Sequence, residues 1–187
     1  MRDFLIDTQT ICYWYDTARA QHAAVVANVE SWRKQVESVE SWEHKPRVLV
    51  SVITLGEIEY GYRANPAFDP NMKAEYLKFV ADELPVRWDV TKDAVVAYGE
   101  LRRRLFDRYA PREKRKRNMR PEQLTDPITS RELGIQENDL WLCAQAVAHD
   151  MVLVTNDRMR RIREVSQGMQ PALLIQNWAV QNAAKVE

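Results

Sequence analysis

Apolar residues in this chain fall in five short continuous runs, and longer amphipathic stretches separate them. The runs are Phe4–Ile6, Val48–Val52, Val86–Val90, Met151–Val154 and Ala172–Ile175. Strands that are buried on both faces of a parallel sheet have continuous apolar runs, whereas half-exposed strands alternate apolar and polar residues. The pattern therefore predicts five buried strands.

The stretches between these runs have the periodicity of helices. Asp93 to Tyr109 is the clearest case, because Ala94, Val95, Tyr98, Leu101 and Leu105 form one apolar face. The other predicted helices are Ala20–Trp42, Thr54–Tyr62, Asn71–Leu84 and Asn138–His149. Strands that alternate with helices predict an α/β fold, a three-layer α/β/α sandwich around a mostly parallel five-stranded sheet.

One segment, 110–134, breaks this alternation. It is charged, contains Pro111, Pro121 and Pro127, and has no apolar period. A chain of 187 residues fits one domain of ordinary size. We therefore predict that 1–187 is a single domain and that 110–134 is a basic loop inserted within it.

The formal net charge is zero, but the charge is unevenly distributed. Cations dominate from Arg102 to Arg120, where only Asp107 and Glu113 oppose them. Such a block is either a phosphate-binding surface or solvated protein surface, and the sequence leaves both open. If it binds phosphates, its central cations are the predicted contacts: Arg112, Lys114, Arg115, Lys116 and Arg117.

Composition excludes several classes of protein. No window approaches the run of about 20 apolar residues that crosses a membrane, and the N-terminal apolar run is too short for a signal peptide. Cys12 and Cys143 lack CxxC or His spacing, so neither a disulfide nor zinc is expected. With five glycines, the chain has no glycine-rich phosphate loop. We expect a cytoplasmic protein without a membrane partner.

Four acidic residues stand where an α/β sheet binds ligands. Asp7 ends the first predicted strand and Asp157 follows the fourth, while Glu57 and Asp139 lie in the first turns of predicted helices. Ligands of parallel sheets bind beyond the carboxyl ends of the strands. Clustered carboxylates would repel one another without a cation, and Mg²⁺ or Mn²⁺ would relieve that repulsion. Such a cation can activate water at a phosphodiester.

Each of these acids also has a purely structural interpretation. An Asp at the end of a strand or the start of a helix is often a cap or a turn former. Taken alone, Asp139 beside Asn138 is best explained as a cap, and Glu57 as an acid that the helix dipole favours. Only the joint placement of the four acids favours a metal site.

Four segments resemble the signature blocks of PIN domains, particularly those of VapC-like toxins. They are LIDTQTICYW, SVITLGEIEYGY, ENDLWLCAQAVAHD and MVLVTNDRM, in the family order and across nearly the whole chain. The resemblance implies a PIN-like fold and a metal-dependent endoribonuclease that uses Mg²⁺ or Mn²⁺ to cleave RNA. It also implies the toxin of a toxin-antitoxin pair, with a cognate antitoxin as partner and a homodimer as the assembly.

The resemblance also implies roles for individual residues. The acidic, metal-binding quartet would be Asp7, Glu57, Asp139 and Asp157, and Thr8, Asn138 and Thr155 would support it. The basic loop is not part of the resemblance: it could grip RNA through the cations named above, cover the cleft or contact a partner, and the sequence leaves these alternatives open. Three departures from the family pattern are Gln9 in place of the common Asn, a long segment between Asp7 and Glu57, and the 110–134 insertion.

Two other functions compete with the nuclease. One is a catalytically inactive PIN-like scaffold that binds RNA or protein, although loss of catalysis would remove the chemical reason for four carboxylates. The other is a phosphoacceptor module. An aspartyl phosphatase would need an Asp two residues after Asp7, where this chain has Gln9, and the paired acids and late Lys of a receiver domain are not evident.

Overall fold

The structure is a computed structural model, and it describes residues 1–41, 45–67, 69–110 and 119–180. Those residues form five strands, seven α-helices and a 3₁₀ helix at Pro121–Gln123. The strands are β1 Phe4–Ile6, β2 Val48–Ser51, β3 Arg87–Trp88, β4 Val152–Val154 and β5 Leu174–Gln176. The α-helices are α1 Thr8–Tyr15, α2 His22–Glu37, α3 Val52–Ala64, α4 Pro70–Glu83, α5 Lys92–Tyr109, α6 Glu137–Ala148 and α7 Arg160–Ser166.

The strands form one sheet in the order β3-β2-β1-β4-β5. The central strand β1 pairs in parallel with both β2 and β4, and β2 pairs in parallel with β3. The chain moves outward from β1 through β2 to β3 and then returns to the other side of β1 at β4. The strand order therefore reverses between β1 and β4, and the predicted five-stranded α/β sheet is confirmed.

The three inner strands are the most buried parts of the sheet. Every residue of β2 and β4 is buried, and Leu5, Ile6 and Leu49 have no exposed surface. Burial of each such side chain contributes about 1.5–3 kcal/mol to folding. This explains why the strands appear in the sequence as continuous apolar runs.

Two helices were not predicted. The eight-residue α1 consists mainly of β-branched and aromatic residues, which have low helix propensity, so its sequence gives a weak helix signal. The seven-residue α7 is too short to show a helical period. Helix α2 ends at Glu37, short of the predicted Trp42, and residues 42–44 lie outside the described residues. Strand β5 lies two residues later at its start than predicted.

The chain divides into two compact units. Unit 1 comprises Met1–Asp89, Val152–Asp157 and Ile175–Glu187, and unit 2 comprises Val90–Met151 and Arg158–Leu174. Unit 1 contains helices α1–α4 and nearly all of the sheet, with a core that includes Ile11 and Val50. Unit 2 contains α5–α7. A single domain over 1–187 remains a prediction.

The described part of the 110–134 segment is a loop in unit 2 with fixed internal contacts. Leu124 is fully buried, and an antiparallel bridge joins Thr125 to Glu132. Asp126 accepts a hydrogen bond from Arg161 of α7 at 2.7 Å. The predicted phosphate contacts Arg112, Lys114, Arg115, Lys116 and Arg117 lie outside the described residues. None of the described helices is long and apolar enough to cross a membrane.

Candidate functional site

The carboxyl ends of β1 and β4 lie side by side in unit 1. Ile6 is in register with Val154, and the Asp7 backbone N–H donates to the Val154 carbonyl at 3.0 Å. The residues that immediately follow these ends are Asp7 and Thr155. This point, where the strand order reverses, is where open parallel sheets bind their ligands.

Asp7 is a buried carboxylate, and both of its oxygens accept hydrogen bonds from the protein. Its side chain is the N-cap of α1, with Oδ1 accepting from the Thr10 backbone N–H at 2.7 Å, and Oδ2 accepts from the Thr155 hydroxyl at 2.5 Å. Burial raises the pKa of Asp7 above its usual value, the bonds from Thr10 and Thr155 oppose that rise, and the charge of Glu57 adds to it. The site therefore holds a negative charge at a cost, which a bound cation would offset.

Thr155 joins Asp7 to the loop that carries Asp157. Its fully buried hydroxyl donates to Asp7 and accepts from the Asp157 backbone N–H at 3.0 Å. The same loop is held by Asn156, whose Oδ1 accepts from the Asn177 side chain at 3.0 Å. Asp157 itself is exposed. The Thr155 hydroxyl thus hydrogen-bonds both the Asp7 carboxylate and the backbone of Asp157, and so holds the two residues near each other.

Glu57 lies on α3 in the same unit. The helix begins at Val52, two residues before its predicted start, so Glu57 lies in the second turn and not in the first. The interpretation of Glu57 as an acid of the first turn is therefore wrong. The Thr8 hydroxyl donates a short hydrogen bond to Glu57 Oε2. Thr8 thus contacts Glu57, and Thr155 contacts Asp7.

Asp139 and Asn138 lie in the first turn of α6, in unit 2. Asp139 Oδ2 accepts from the Gln136 backbone N–H at 3.2 Å, which is the bond of a capping box. The structural interpretation of Asp139 is therefore realised in the local geometry. Its role as a metal ligand remains a prediction.

The start of α6 is anchored to α5 by residues that the sequence analysis did not select. The Tyr98 hydroxyl donates to Glu137 Oε1 at 2.5 Å, and Arg102 contacts the same oxygen at 3.3 Å. The Tyr98 and Trp141 rings stack at 3.8 Å with an interplanar angle of 8°. Burial, and then the bond to Glu137, raise the pKa of Tyr98 to about 12. The only signal of this cluster in the sequence is the apolar face of α5.

The donors available for a metal are carboxylate and hydroxyl oxygens. Within residues 1–41, 45–67, 69–110 and 119–180, no three His, Cys, Asp or Glu side chains form a group that could hold a metal ion. Glu57 is close enough to Asp7 for its charge to raise the pKa of the Asp7 carboxyl. Oxygen donors of this kind fit Mg²⁺ or Mn²⁺, which take carboxylates and retain several waters.

Solved structures share this fold. The chain is 21% identical to a chain of the DNA-bound VapBC2 structure from Rickettsia felis, with a TM-score of 0.60 over 94% of this chain and 98% of that one. For DNA-bound VapBC from Salmonella typhimurium the identity is 18% and the TM-score 0.59, over 95% and 99% of the two chains. VapBC-5 from Mycobacterium tuberculosis, a member of a family of toxin-antitoxin systems, has 18% identity and a TM-score of 0.51 over 95% and 98%.

No curated protein matches the chain significantly. A family model does match, and it is the model of the PIN domain, over residues 4–166. The matched range includes all four acids and parts of both compact units, and the match is consistent with the predicted three-layer α/β/α architecture. The chain therefore belongs to the PIN domain family.

Proposed function

We propose that this chain is a metal-dependent endoribonuclease and the toxin of a toxin-antitoxin pair. The observation that carries the proposal is the buried Asp7 carboxylate at the reversal of strand order, joined through Thr155 to Asp157 and close to Glu57. Burial of the charged Asp7 carboxylate costs free energy, and a bound cation would offset that cost. The carboxylate also lies where parallel sheets bind ligands, in a chain of the PIN domain family.

The four acids have distinct places in this proposal. Asp7 and Asp139 would be the principal ligands, and Glu57 and Asp157 would complete the site directly or through water. Bound there, Mg²⁺ or Mn²⁺ would supply the Lewis acidity that activates water toward a phosphodiester. Asn138 would support Asp139 from the adjacent position of α6.

The hydroxyl groups of the site orient its carboxylates. Thr155 donates to one oxygen of Asp7 while the Thr10 backbone N–H donates to the other. The Thr8 hydroxyl donates to Oε2 of Glu57. These donors hold both carboxylates in place.

The proposal includes three partners. RNA is the substrate, and the cations Arg112, Lys114, Arg115, Lys116 and Arg117 hold its phosphates. A cognate antitoxin is the protein partner, which is supported by the toxin-antitoxin systems among the structural neighbours. A homodimer in the cytoplasm is the assembly, and a monomer in sedimentation equilibrium would contradict it.

The test is cleavage of a labelled pool of tRNA and rRNA by the purified chain, with Mn²⁺ or Mg²⁺ and with EDTA. The variants are Asp7→Asn and Asp139→Asn. Asp69→Asn is the matched control, because Asp69 is also a helix N-cap but is exposed and lies at α4. Asn is about as good an N-cap as Asp, so the substitutions of Asp7 and Asp69 keep local helix capping. At position 139 the Asn side-chain oxygen can still accept the Gln136 backbone N–H of the capping box.

We expect cleavage to require the metal, to be lost in Asp7→Asn and Asp139→Asn by a factor of about 100 or more, and to be unchanged in Asp69→Asn. Removal of one group that stabilises transition-state charge typically costs this much. Cleavage that persists in both site variants would contradict the assignment of the quartet. Absence of both cleavage and metal binding in calorimetry would favour the inactive scaffold.

A further inference from the structure

The buried apolar stripe of helix α7 determines which of its charged side chains are exposed. Ile162 and Val165 are buried, and so is Met159 at the N-cap. These three positions form one helical stripe, and their burial fixes the orientation of the helix. As a result Arg160 and Arg163 are exposed, together with Arg158 before the helix.

The arginines of this region differ sharply in what they contact. Arg161 forms ion pairs with Asp126 at 2.7 Å and with Glu164 at 3.3 Å, and its side chain is 22% exposed. The exposed Arg158, Arg160 and Arg163 form no ion pair within the residues that the structure describes. Arg161 therefore has a structural role, and the other three have cationic groups available to a ligand.

The acidic residue of the helix cannot neutralise these cations. Glu164 already accepts from the Tyr109 hydroxyl at 2.5 Å and pairs with Arg161 and Arg108. Residues three apart on a helix are neighbours, so Arg160 and Arg163 lie about 5–6 Å apart at their Cβ atoms. Arg158 directly follows the proposed ligand Asp157 in the chain.

We propose that Arg158, Arg160 and Arg163, here named the α7 arginine strip, bind the phosphate backbone of the RNA substrate. The inference rests on the proposed nuclease function. That function has a polyanionic substrate, and Arg158 directly follows Asp157, one of the acids proposed to act on it. The strip lies outside the basic loop to which the sequence analysis assigned RNA binding. The α7 arginine strip would contact phosphate groups, so it would not distinguish one base from another.

The test is the salt dependence of RNA affinity. Fluorescence anisotropy would measure the binding of a short single-stranded oligoribonucleotide of mixed sequence, in EDTA and over a series of KCl concentrations. For single strands, each phosphate contact contributes about −0.7 to the slope of log K against log salt, so Arg160→Ala with Arg163→Ala should reduce its magnitude by about 1.4. The melting temperature should not change, because unpaired surface side chains contribute little to stability.

The matched control is the double variant Arg19→Ala with Arg63→Ala. Both arginines are more than half exposed, but they are paired with Asp16 and Glu59, and their removal changes the net charge equally. We expect the control to keep the wild-type slope. An equal loss of slope in both double variants would mean that only net charge matters, and it would overturn the proposal.

The other outcomes separate the strip from the nuclease function. If the Arg160 and Arg163 double variant keeps the wild-type salt dependence and the metal-dependent cleavage is intact, the proposal for the α7 arginine strip alone would be overturned. The same result is expected if the strip binds an acidic protein instead of RNA. Wild-type protein that neither binds nor cleaves RNA would overturn the strip and the proposed function together.

Discussion

Asp7 and Asp69 show how one residue type acquires different chemistry. Each is a helix N-cap whose carboxylate accepts a backbone N–H near the start of its helix. Asp69 is exposed, so water stabilises its charge, whereas Asp7 is 7% exposed and depends on Thr155 and Thr10. The burial of Asp7, and not its capping bond, is what distinguishes a candidate ligand from an ordinary cap.

This burial predicts that the metal-free protein is more stable without the charge of Asp7. Because the folded-state pKa of Asp7 is raised, the folded state binds the proton more tightly, and stability falls as pH rises above the unfolded pKa. We expect Asp7→Asn to raise the free energy of unfolding by on the order of 1 kcal/mol at pH 7 in EDTA. Urea denaturation would measure it.

Two comparisons test the cause of that gain. At a pH below about 3.9, where Asp7 is protonated in both states, the difference from wild type should vanish. Added Mn²⁺ should stabilise the wild type and leave Asp7→Asn unchanged, because a ligand stabilises the state that binds it. A gain of the same size in Asp69→Asn would show that burial is not the cause.

The bridging hydroxyl of Thr155 predicts a second effect at this scale. Thr155→Val keeps the shape of the side chain but removes the donor to Asp7 and the acceptor for the Asp157 N–H. Loss of buried hydrogen bonds leaves groups unsatisfied at about 1–3 kcal/mol each, so we expect lower stability and weaker cleavage. Thr155→Ser should restore both, in thermal melts and in the cleavage assay.

Thr54→Val is the control for that experiment. Thr54 is as fully buried as Thr155, but within the described part of the chain its hydroxyl donates only to the Ile6 carbonyl, at 3.5 Å. Its substitution should therefore cost less stability and leave cleavage intact. An equal effect of Thr54→Val and Thr155→Val would argue for general packing.

Among the elements, the inner strands were predictable and the short helices were not. Phe4–Ile6 and Val152–Val154 are continuous apolar runs because both faces of the strands are buried, and burial alone determines that pattern. Helix α1 is stabilised by the capping bond of Asp7 and by the tertiary burial of Ile11 and Trp14, which together offset its poor helix propensity. The start of α3 at Val52 was missed because β2 passes into the helix without a turn.

The candidate site was likewise predictable only in part: the placement of residues at strand ends could be predicted, and the contacts between helices could not. Asp7 and Thr155 follow strands whose ends could be read from the sequence, so their proximity was foreseeable from topology. The pairing of Thr8 with Glu57 and the stack of Tyr98 on Trp141 depend on how helices rotate and pack. Local sequence does not encode such rotations.

The ion pair between the 119–134 loop and helix α7 leads to a prediction about how these two elements are held together. Arg161 ties the loop to α7 through Asp126, whose carboxylate also accepts two backbone N–H groups at 3.0 Å. We expect Arg161→Ala to lower the free energy of unfolding by about 1–2 kcal/mol, between the values for exposed and buried pairs. The loop backbone should also exchange its amide hydrogens faster.

Hydrogen exchange with mass spectrometry would measure the loop, and urea denaturation the stability. Lys78→Ala is the control, because Lys78 pairs with Asp82 while both side chains are more than half exposed. It should change neither quantity. Unaltered exchange over residues 119–134 in Arg161→Ala would contradict a tethering role.

Over the whole molecule, the chain passes repeatedly between its compact units. Unit 1 is assembled from three segments and unit 2 from two. Neither unit is therefore a continuous piece of sequence that can fold before the other is synthesised. This connectivity favours the predicted single domain over 1–187.

It follows that unfolding should be one cooperative transition. Trp141 is the tryptophan of unit 2, so the fluorescence of Trp141→Phe reports on unit 1, while far-UV circular dichroism reports on the helices of both units. We expect the two signals to give coincident urea transitions, as in two-state domains. Transitions with separate midpoints would show two independent domains.

The long separation of β1 and β4 in the chain also has a consequence during synthesis. Asp7 receives the Thr155 hydroxyl across 148 residues, and β4 joins the sheet only after β1, β2 and β3 have been translated. At about 5–20 residues per second, the ribosome needs several seconds or more to make that distance. The proposed active site therefore cannot form before β4 has been translated, and the proposed nuclease activity would be delayed by that interval.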